Sequence, residues 1–172
     1  MREAAAEIEA TALVPAAPED VFEFLSDLAN HWRLVDRLVE VLSVDGEPPN
    51  RALVRLRGPL GLRRTVRTRV TATRAPRLLI GVAEMGDEGA TRALVSWTLA
   101  GRLGQTRVRL AAEVEQASAV DRLVLALGGR VWLRRRFAFG LARLAERFAA
   151  IPRPTPGPPL RQAEGSSPRS PS

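Results

Sequence analysis

The 172-residue chain has no cysteine, no lysine and no tyrosine, and its only histidine is His31. Without cysteine there is no disulfide framework, no thiolate metal site and no cysteine nucleophile. A single histidine excludes a multi-histidine metal centre and leaves one position for imidazole acid–base chemistry. No uncharged apolar run approaches the roughly 18 residues that a membrane span requires. The opening MREAAAEIEATALVP carries Glu3, Glu7 and Glu9 and no apolar block, so it does not fit a secretory signal. Aromatic residues are only 5% of the chain, too few for the stacking platforms on which single-strand nucleic-acid readers depend. What remains is 45% hydrophobic and 26% charged, the composition of one domain with a sizeable core.

All 26 basic residues are arginine, and the net charge is +7. With the abundance of Ala, Gly, Leu and Pro, this fits a GC-rich coding bias more than a nucleic-acid footprint. One block is exceptional: Arg51 to Arg77 holds nine arginines and no acid. It reads either as a solvated sheet face or as a surface for a polyanion or a partner.

The body spans residues 1–151. The remainder, 152–172, holds seven of the 13 prolines and four serines, with Leu160 as its one large aliphatic residue. Such a segment cannot offset its chain entropy by burial, and disorder is expected. In the body, Glu7–Val14 alternates acid or polar with apolar residues, as a strand does. Pro18-Glu19-Asp20 opens a helix, with proline in the first turn and acids at the positive end of the dipole. A second short helix covers about 29–35. Six strands are then expected at Leu38–Val44, Ala52–Arg57, Arg64–Thr73, Leu78–Ala83, Arg92–Leu99 and Thr106–Glu115. Turn signals separate them at hairpin distances, which predicts an antiparallel meander. Val66, Thr68, Val70 and Ala72 alternate with Thr65, Arg67, Arg69 and Thr71. In the last strand Val108, Leu110, Ala112 and Val114 alternate with Arg107, Arg109, Glu113 and Glu115. The sheet therefore has one apolar and one wet face. Ala119–Ala150 reads as one long helix, bent or loosened at Gly128-Gly129.

This order of elements resembles the START-like, helix-grip superfamily (SRPBCC) that includes polyketide cyclase/dehydrase-type proteins. Val14-Pro15-Ala16-Ala17-Pro18-Glu19-Asp20-Val21-Phe22-Glu23-Phe24-Leu25-Ser26-Asp27 is similar to the family's first strand and helix. His31-Trp32 with Val39-Glu40-Val41 is similar to its second helix and strand. Ser96-Trp97-Thr98-Leu99 and Thr106-Arg107-Val108 are similar to its late strands, and Arg136–Arg147 to its terminal helix. The resemblance implies an α+β fold, with a curved seven-stranded antiparallel sheet around a long C-terminal helix and two short helices after strand 1. It also implies a largely apolar pocket between sheet and helix. Members bind lipids, polyketides or other hydrophobic molecules, and a few are cyclases or aromatases. Fold alone does not choose among these.

If the apolar face meets the helix, the pocket wall is formed by Ile8, Ala10, Ala12, Val66, Thr68, Val70, Val95, Trp97, Leu99, Val108, Leu110 and Ala112, as core or as ligand lining. Trp32 is expected beside it. Plotted at 100° per residue from Val120, the helix turns Val124, Leu127, Val131, Ala138, Leu141, Ala142 and Ala145 inward. Asp121, Arg136, Arg143, Glu146 and Arg147 fall opposite. Arg134 lands inside the apolar sector, with Arg130 on its edge. A buried guanidinium needs an anionic partner or a route to water. Arg134 therefore either binds a ligand carboxylate or enolate, or pairs with Asp36 or Glu40, or is moved by a phase shift at the glycines. His31, Glu40 and Arg134 are the candidates for proton transfer. Ser26, Ser43 and Ser96 lack a recognisable base and orienter. Glu7 and Glu9 should share the wet face with Arg107 and Arg109 if first and last strands pair.

The reading is a cytoplasmic binder of a hydrophobic small molecule, acidic if Arg134 meets it, with no cofactor and no metal. A cyclase or aromatase acting without metal or redox cofactor competes with it. A polyanion- or partner-binding module using Arg51–Arg77 is the third reading, although the composition weighs against nucleic acid.

Overall fold

The computed structural model describes residues 7–35, 39–58, 61–86 and 89–150. Asp36, Leu38 at the head of the expected second strand, parts of two turns and the tail lie outside these residues. Seven strands form one antiparallel sheet: β1 (Glu7–Val14), β2 (Val39–Asp45), β3 (Arg51–Arg57), β4 (Arg63–Arg74), β5 (Leu78–Met85), β6 (Thr91–Arg102) and β7 (Gln105–Gln116). Their spatial order is β1-β7-β6-β5-β4-β3-β2. Strands 2 to 7 thus run as a meander, and β7 closes on β1. The pairing sets Glu9 opposite Ala111 and Thr11 opposite Arg109. On that wet face Arg109 donates to Glu7 at 2.6 Å and to Glu9. Arg107, set opposite Leu13, forms no ion pair among the described residues.

Two short helices follow β1: α1 (Pro18–Ser26) and α2 (Leu28–Arg33). Pro18, Glu19 and Asp20 occupy the first turn of α1, where proline loses no helical hydrogen bond and acids meet the positive dipole end. Asp27 caps α2 by accepting from the Ala29 amide at 2.8 Å. Thr106, fully buried, donates to the Ala16 carbonyl at 2.8 Å and ties β7 to the chain leaving β1.

The long helical stretch is two helices, α3 (Ala119–Val124) and α4 (Arg130–Ala149). The turn widens over Leu125–Gly129, and Gly128 takes φ +111°, a conformation that side chains with a Cβ rarely adopt. At Gly129 a Cβ would lie 2.6 Å from the Val124 carbonyl oxygen. Both glycines are therefore required by the joint.

The space between sheet and helices is divided. On one side Val14, Val21, Leu25, Leu79, Leu99, Val108, Leu141 and Leu144 form a closed core. It binds the C-terminal half of α4 to β1, β6, β7 and α1. A smaller cluster of Leu28, Ala52, Val54 and Val66 sits under α2. Between the two the interior is open.

Candidate functional site

The open part is a cavity of about 350 Å³, at the lower end of the roughly 300–1,000 Å³ usual for small-molecule sites. Its floor is the inner face of the sheet. Every second residue of a strand points there, which brings Val54 and Leu56 of β3, Val66, Thr68 and Val70 of β4, and Ala83 and Met85 of β5 to the lining. Val95 and Trp97 of β6 and Leu110, Ala112 and Val114 of β7 continue it, and Ile8 reaches it from β1. Ala10, Ala12, Leu99 and Val108 face the same way but belong to the packed core. The roof comes from Leu28, His31 and Trp32 of α2, Val124 and Leu125 at the joint, and Trp132, Leu133, Arg136 and Phe137 of α4.

Eight residues expected at the ligand therefore line the cavity: Trp32, Val66, Thr68, Val70, Val95, Trp97, Leu110 and Ala112. Four do not. Leu127, Val131, Arg134 and Ala138 are exposed on the outer side of the helical stretch. The inward sector is counted from Val120 through an unbroken helix, and the widened joint at Gly128 resets it. Leu133 and Phe137 stand where the count puts Arg134 and Ala138, one residue round the helix. Arg136, placed on the opposite face by the same count, lines the cavity and stacks over Trp132 at 5.3 Å. Glu40 is no partner for Arg134 either, because it is exposed and pairs with Arg55 at 3.0 Å.

Two polar features shape the site. His31 Nε2 lies 2.6 Å from the Leu25 carbonyl oxygen. A carbonyl only accepts, so Nε2 carries the proton and Nδ1 is left as an acceptor in the neutral ring. Burial pushes the His31 imidazole below its ordinary pKa of 6.5, against the opposing pull of the Leu25 carbonyl and the Asp27 carboxylate. The ring lies 5.2 Å from that of Trp97. The buried Trp32 Nε1 has no hydrogen-bond partner among the described residues.

The second feature is a latch at the start of α3. Ser118 Oγ accepts from the Asp121 amide at 3.1 Å and donates to Asp121 Oδ2 at 2.9 Å, a reciprocal N-terminal cap. Thr91 Oγ1 donates to the same oxygen at 2.5 Å and accepts from the Ser118 amide at 3.0 Å. Arg64 Nη2 donates to Asp121 Oδ1 at 3.0 Å. One carboxylate thus joins β4, β6 and α3 at the rim of the cavity. Arg64 is thereby neutralised, while Arg57 and Arg69, also at the lining, are exposed strand residues. Arg136 is the partly buried lining arginine that is in no ion pair among the described residues.

Of the acid-free block, Arg51, Arg57, Arg63, Arg67, Arg69, Arg74 and Arg77 are exposed. The register sets Arg51 opposite Arg69 and Arg57 opposite Arg63. Among the described residues no group of His, Asp or Glu is placed to hold a metal ion. No described helix is long and apolar enough to cross a membrane.

Comparison with known proteins gives the same architecture. A family model described as polyketide cyclase / dehydrase and lipid transport matches residues 5–149. The protein TTHA0849 of Thermus thermophilus is 20% identical with a TM-score of 0.63, over 84% of this chain and 98% of its own. A START superfamily protein from Mycobacterium smegmatis is 16% identical with a TM-score of 0.60, over 82% and 97%. DynU16, described as a putative protein in the dynemicin biosynthetic locus, is 16% identical with a TM-score of 0.56, over 84% of this chain and 47% of that one. At these identities the likeness is one of fold. No curated protein sequence matches the chain.

Proposed function

The chain belongs to the polyketide cyclase / dehydrase and lipid transport family, and from that premise we propose that its cavity binds a hydrophobic small molecule bearing an acidic group. The observation that carries this reading is the cavity itself, about 350 Å³ and lined mainly by aliphatic and aromatic side chains. Burying apolar ligand surface there supplies affinity at about 25 cal/mol per Å². Arg136 supplies the polar selection: its forked donors suit a carboxylate or enolate, and its contact over the Trp132 ring holds the charge at the roof.

Native mass spectrometry of protein purified from its own host tests the reading, which expects a co-purified small molecule. Displacement of the fluorophore anilinonaphthalene sulfonate by dodecanoic acid and by its methyl ester tests the role of Arg136. The acid should bind more tightly than the ester by about tenfold, the lower end for a charge-assisted hydrogen bond, and Arg136→Leu should abolish that preference. Equal affinities in the parent protein would remove Arg136 from the reading.

A cyclase-type reading has one specific observation in its favour. His31 sits at the cavity wall as a neutral imidazole whose Nδ1 lone pair is an available base. Turnover of a poly-β-keto thioester by the parent protein and not by His31→Asn would select it.

A further inference from the structure

Leu127 and Val131, which the sequence pattern turns inward and the fold turns outward, share an exposed surface with Val120 and Leu123. Val120, Leu123, Leu127 and Val131 are 55%, 59%, 76% and 56% exposed. They lie on the stretch whose inward residues Val124, Leu125 and Leu133 roof the cavity. A helical segment apolar on both sides is normally enclosed by protein. Here the outer side is open, and its surroundings carry charge of one sign. From Arg122 to Ala145 there are six arginines and no acid. Arg122, Arg130, Arg134 and Arg135 are exposed and form no ion pair among the described residues.

We propose that this face, α3 and the first turns of α4, docks on the surface of a lipid bilayer containing anionic headgroups. An aliphatic stripe rimmed by arginines is the composition of a helix that lies in the plane of a membrane interface. Its apolar residues enter the boundary of the acyl chains and its guanidiniums meet the phosphates. A second copy of the chain fits the same face poorly. A two-fold interface sets a patch against itself, and this one would oppose arginine to arginine with no acid to intervene. The docking surface stands on exposure and charge, independently of what the cavity holds. If the cavity does hold an apolar molecule, the docked face is its own roof.

The test is flotation of the full chain with vesicles of phosphatidylcholine alone and of an equimolar phosphatidylcholine–phosphatidylglycerol mixture, at low and high salt. Binding is expected to the mixed vesicles at low salt, to fall at high salt, and to be absent from phosphatidylcholine alone. Leu127→Ser with Val131→Ser should weaken it about tenfold or more. Arg130→Gln with Arg134→Gln should weaken it about thirtyfold, at about fivefold per arginine near an anionic surface. All four side chains are exposed, so thermal melts of these variants should match the parent and separate lost docking from lost fold. Arg51→Gln with Arg67→Gln, both exposed on the outer sheet face, should leave the partition unchanged. Three results overturn the proposal: no association with the mixed vesicles, association abolished by the sheet-face pair and untouched by the stripe pair, or a solution dimer that the stripe variants dissociate while vesicles bind neither form. Capture of an acidic protein by the stripe without vesicle binding overturns it as well.

Discussion

Asp121→Ala removes the one acceptor that joins three elements at the rim of the cavity. Its carboxylate accepts from Arg64, Thr91 and Ser118 at 3.0, 2.5 and 2.9 Å. Thr91 is 2% exposed, so its hydroxyl loses its acceptor with little access to water. Leaving a buried donor unsatisfied costs about 1–3 kcal/mol. The Arg64 and Asp121 side chains are 32% and 17% exposed, so water screens their attraction and the ion pair adds about 1 kcal/mol, well below a fully buried pair. Ser118 keeps its acceptance from the amide of residue 121, and most of the helix cap survives. The total is about 2–4 kcal/mol, or about 5–15 °C in Tm for a domain of this size. Asp121→Asn keeps an acceptor for Thr91 and should lose about half as much. The assay is thermal and urea unfolding of Asp121→Ala, Arg64→Leu and the double variant. A loss under about 0.5 kcal/mol for Asp121→Ala, or a coupling energy near zero in the cycle, would refute the latch.

Two further predictions concern single residues. The His31 pKa is lower in the folded chain than the ordinary 6.5, so the unfolded chain binds more protons in the window below that value. Stability should be full above pH 6.5 and fall as pH drops from 6.5 through the folded pKa. In His31→Asn, melts across the same range should lose that slope, and an unchanged slope assigns the acid sensitivity elsewhere. The β6–β7 hairpin turns through Leu103-Gly104, both at positive φ, with Leu103 96% exposed. That turn favours Asn-Gly, and a leucine there is strained by about 1–2 kcal/mol with no burial in return. Leu103→Asn should raise stability by about 1 kcal/mol in urea unfolding, and a decrease would show that leucine is favoured there by contacts the turn geometry does not reveal.

What could be read from the sequence followed from where solvent lies. In β4 and β7 one face is wet, so Val66, Thr68, Val70 and Leu110, Ala112, Val114 stand out against arginine and glutamate. β3 carries a weaker form of the signal, Ala52, Val54 and Leu56 alternating with Arg51, Leu53, Arg55 and Arg57, and Val54 and Leu56, absent from the expected pocket wall, line the cavity. β5 gives none: Leu79, Gly81 and Ala83 alternate with Ile80 and Val82, apolar on both sides, and Val82 is itself buried. The helix fails for a different reason. Val131, Arg134 and Ala138 are assigned by counting turns from Val120, and a count carries no phase across a glycine at φ +111°, while Leu127 lies within the widened turn with non-helical backbone angles of its own. The latch is half legible. Ser118 and Asp121 have the spacing of a cap, but Arg64 and Thr91 arrive from 57 and 30 residues away, and only the fold brings them there.

Small side chains in part of its floor leave the cavity room: Thr68, Gly81, Ala83, Ala93 and Ala112 line it beside larger neighbours such as Leu79 and Trp97, whereas Leu99, Leu141 and Leu144 fill the closed half. Kept dry and empty, about 350 Å³ would cost about 8 kcal/mol at ~24 cal/mol per Å³ of cavity. That is comparable with the whole stability of a domain, so the site relies on water or a ligand to occupy it. Ala83→Leu adds three carbons at the floor, a small part of the space. At ~0.8 kcal/mol per buried methylene-sized group, the variant should gain about 1–2 kcal/mol after allowance for imperfect packing. The same carbons occupy room that a ligand needs, so anilinonaphthalene sulfonate should bind Ala83→Leu at least about tenfold more weakly than the parent. Stability and binding should therefore move in opposite directions. A variant that is destabilised and binds the fluorophore as before would mean that side chains already fill this part of the interior, and the binding role of the cavity would lose its physical ground.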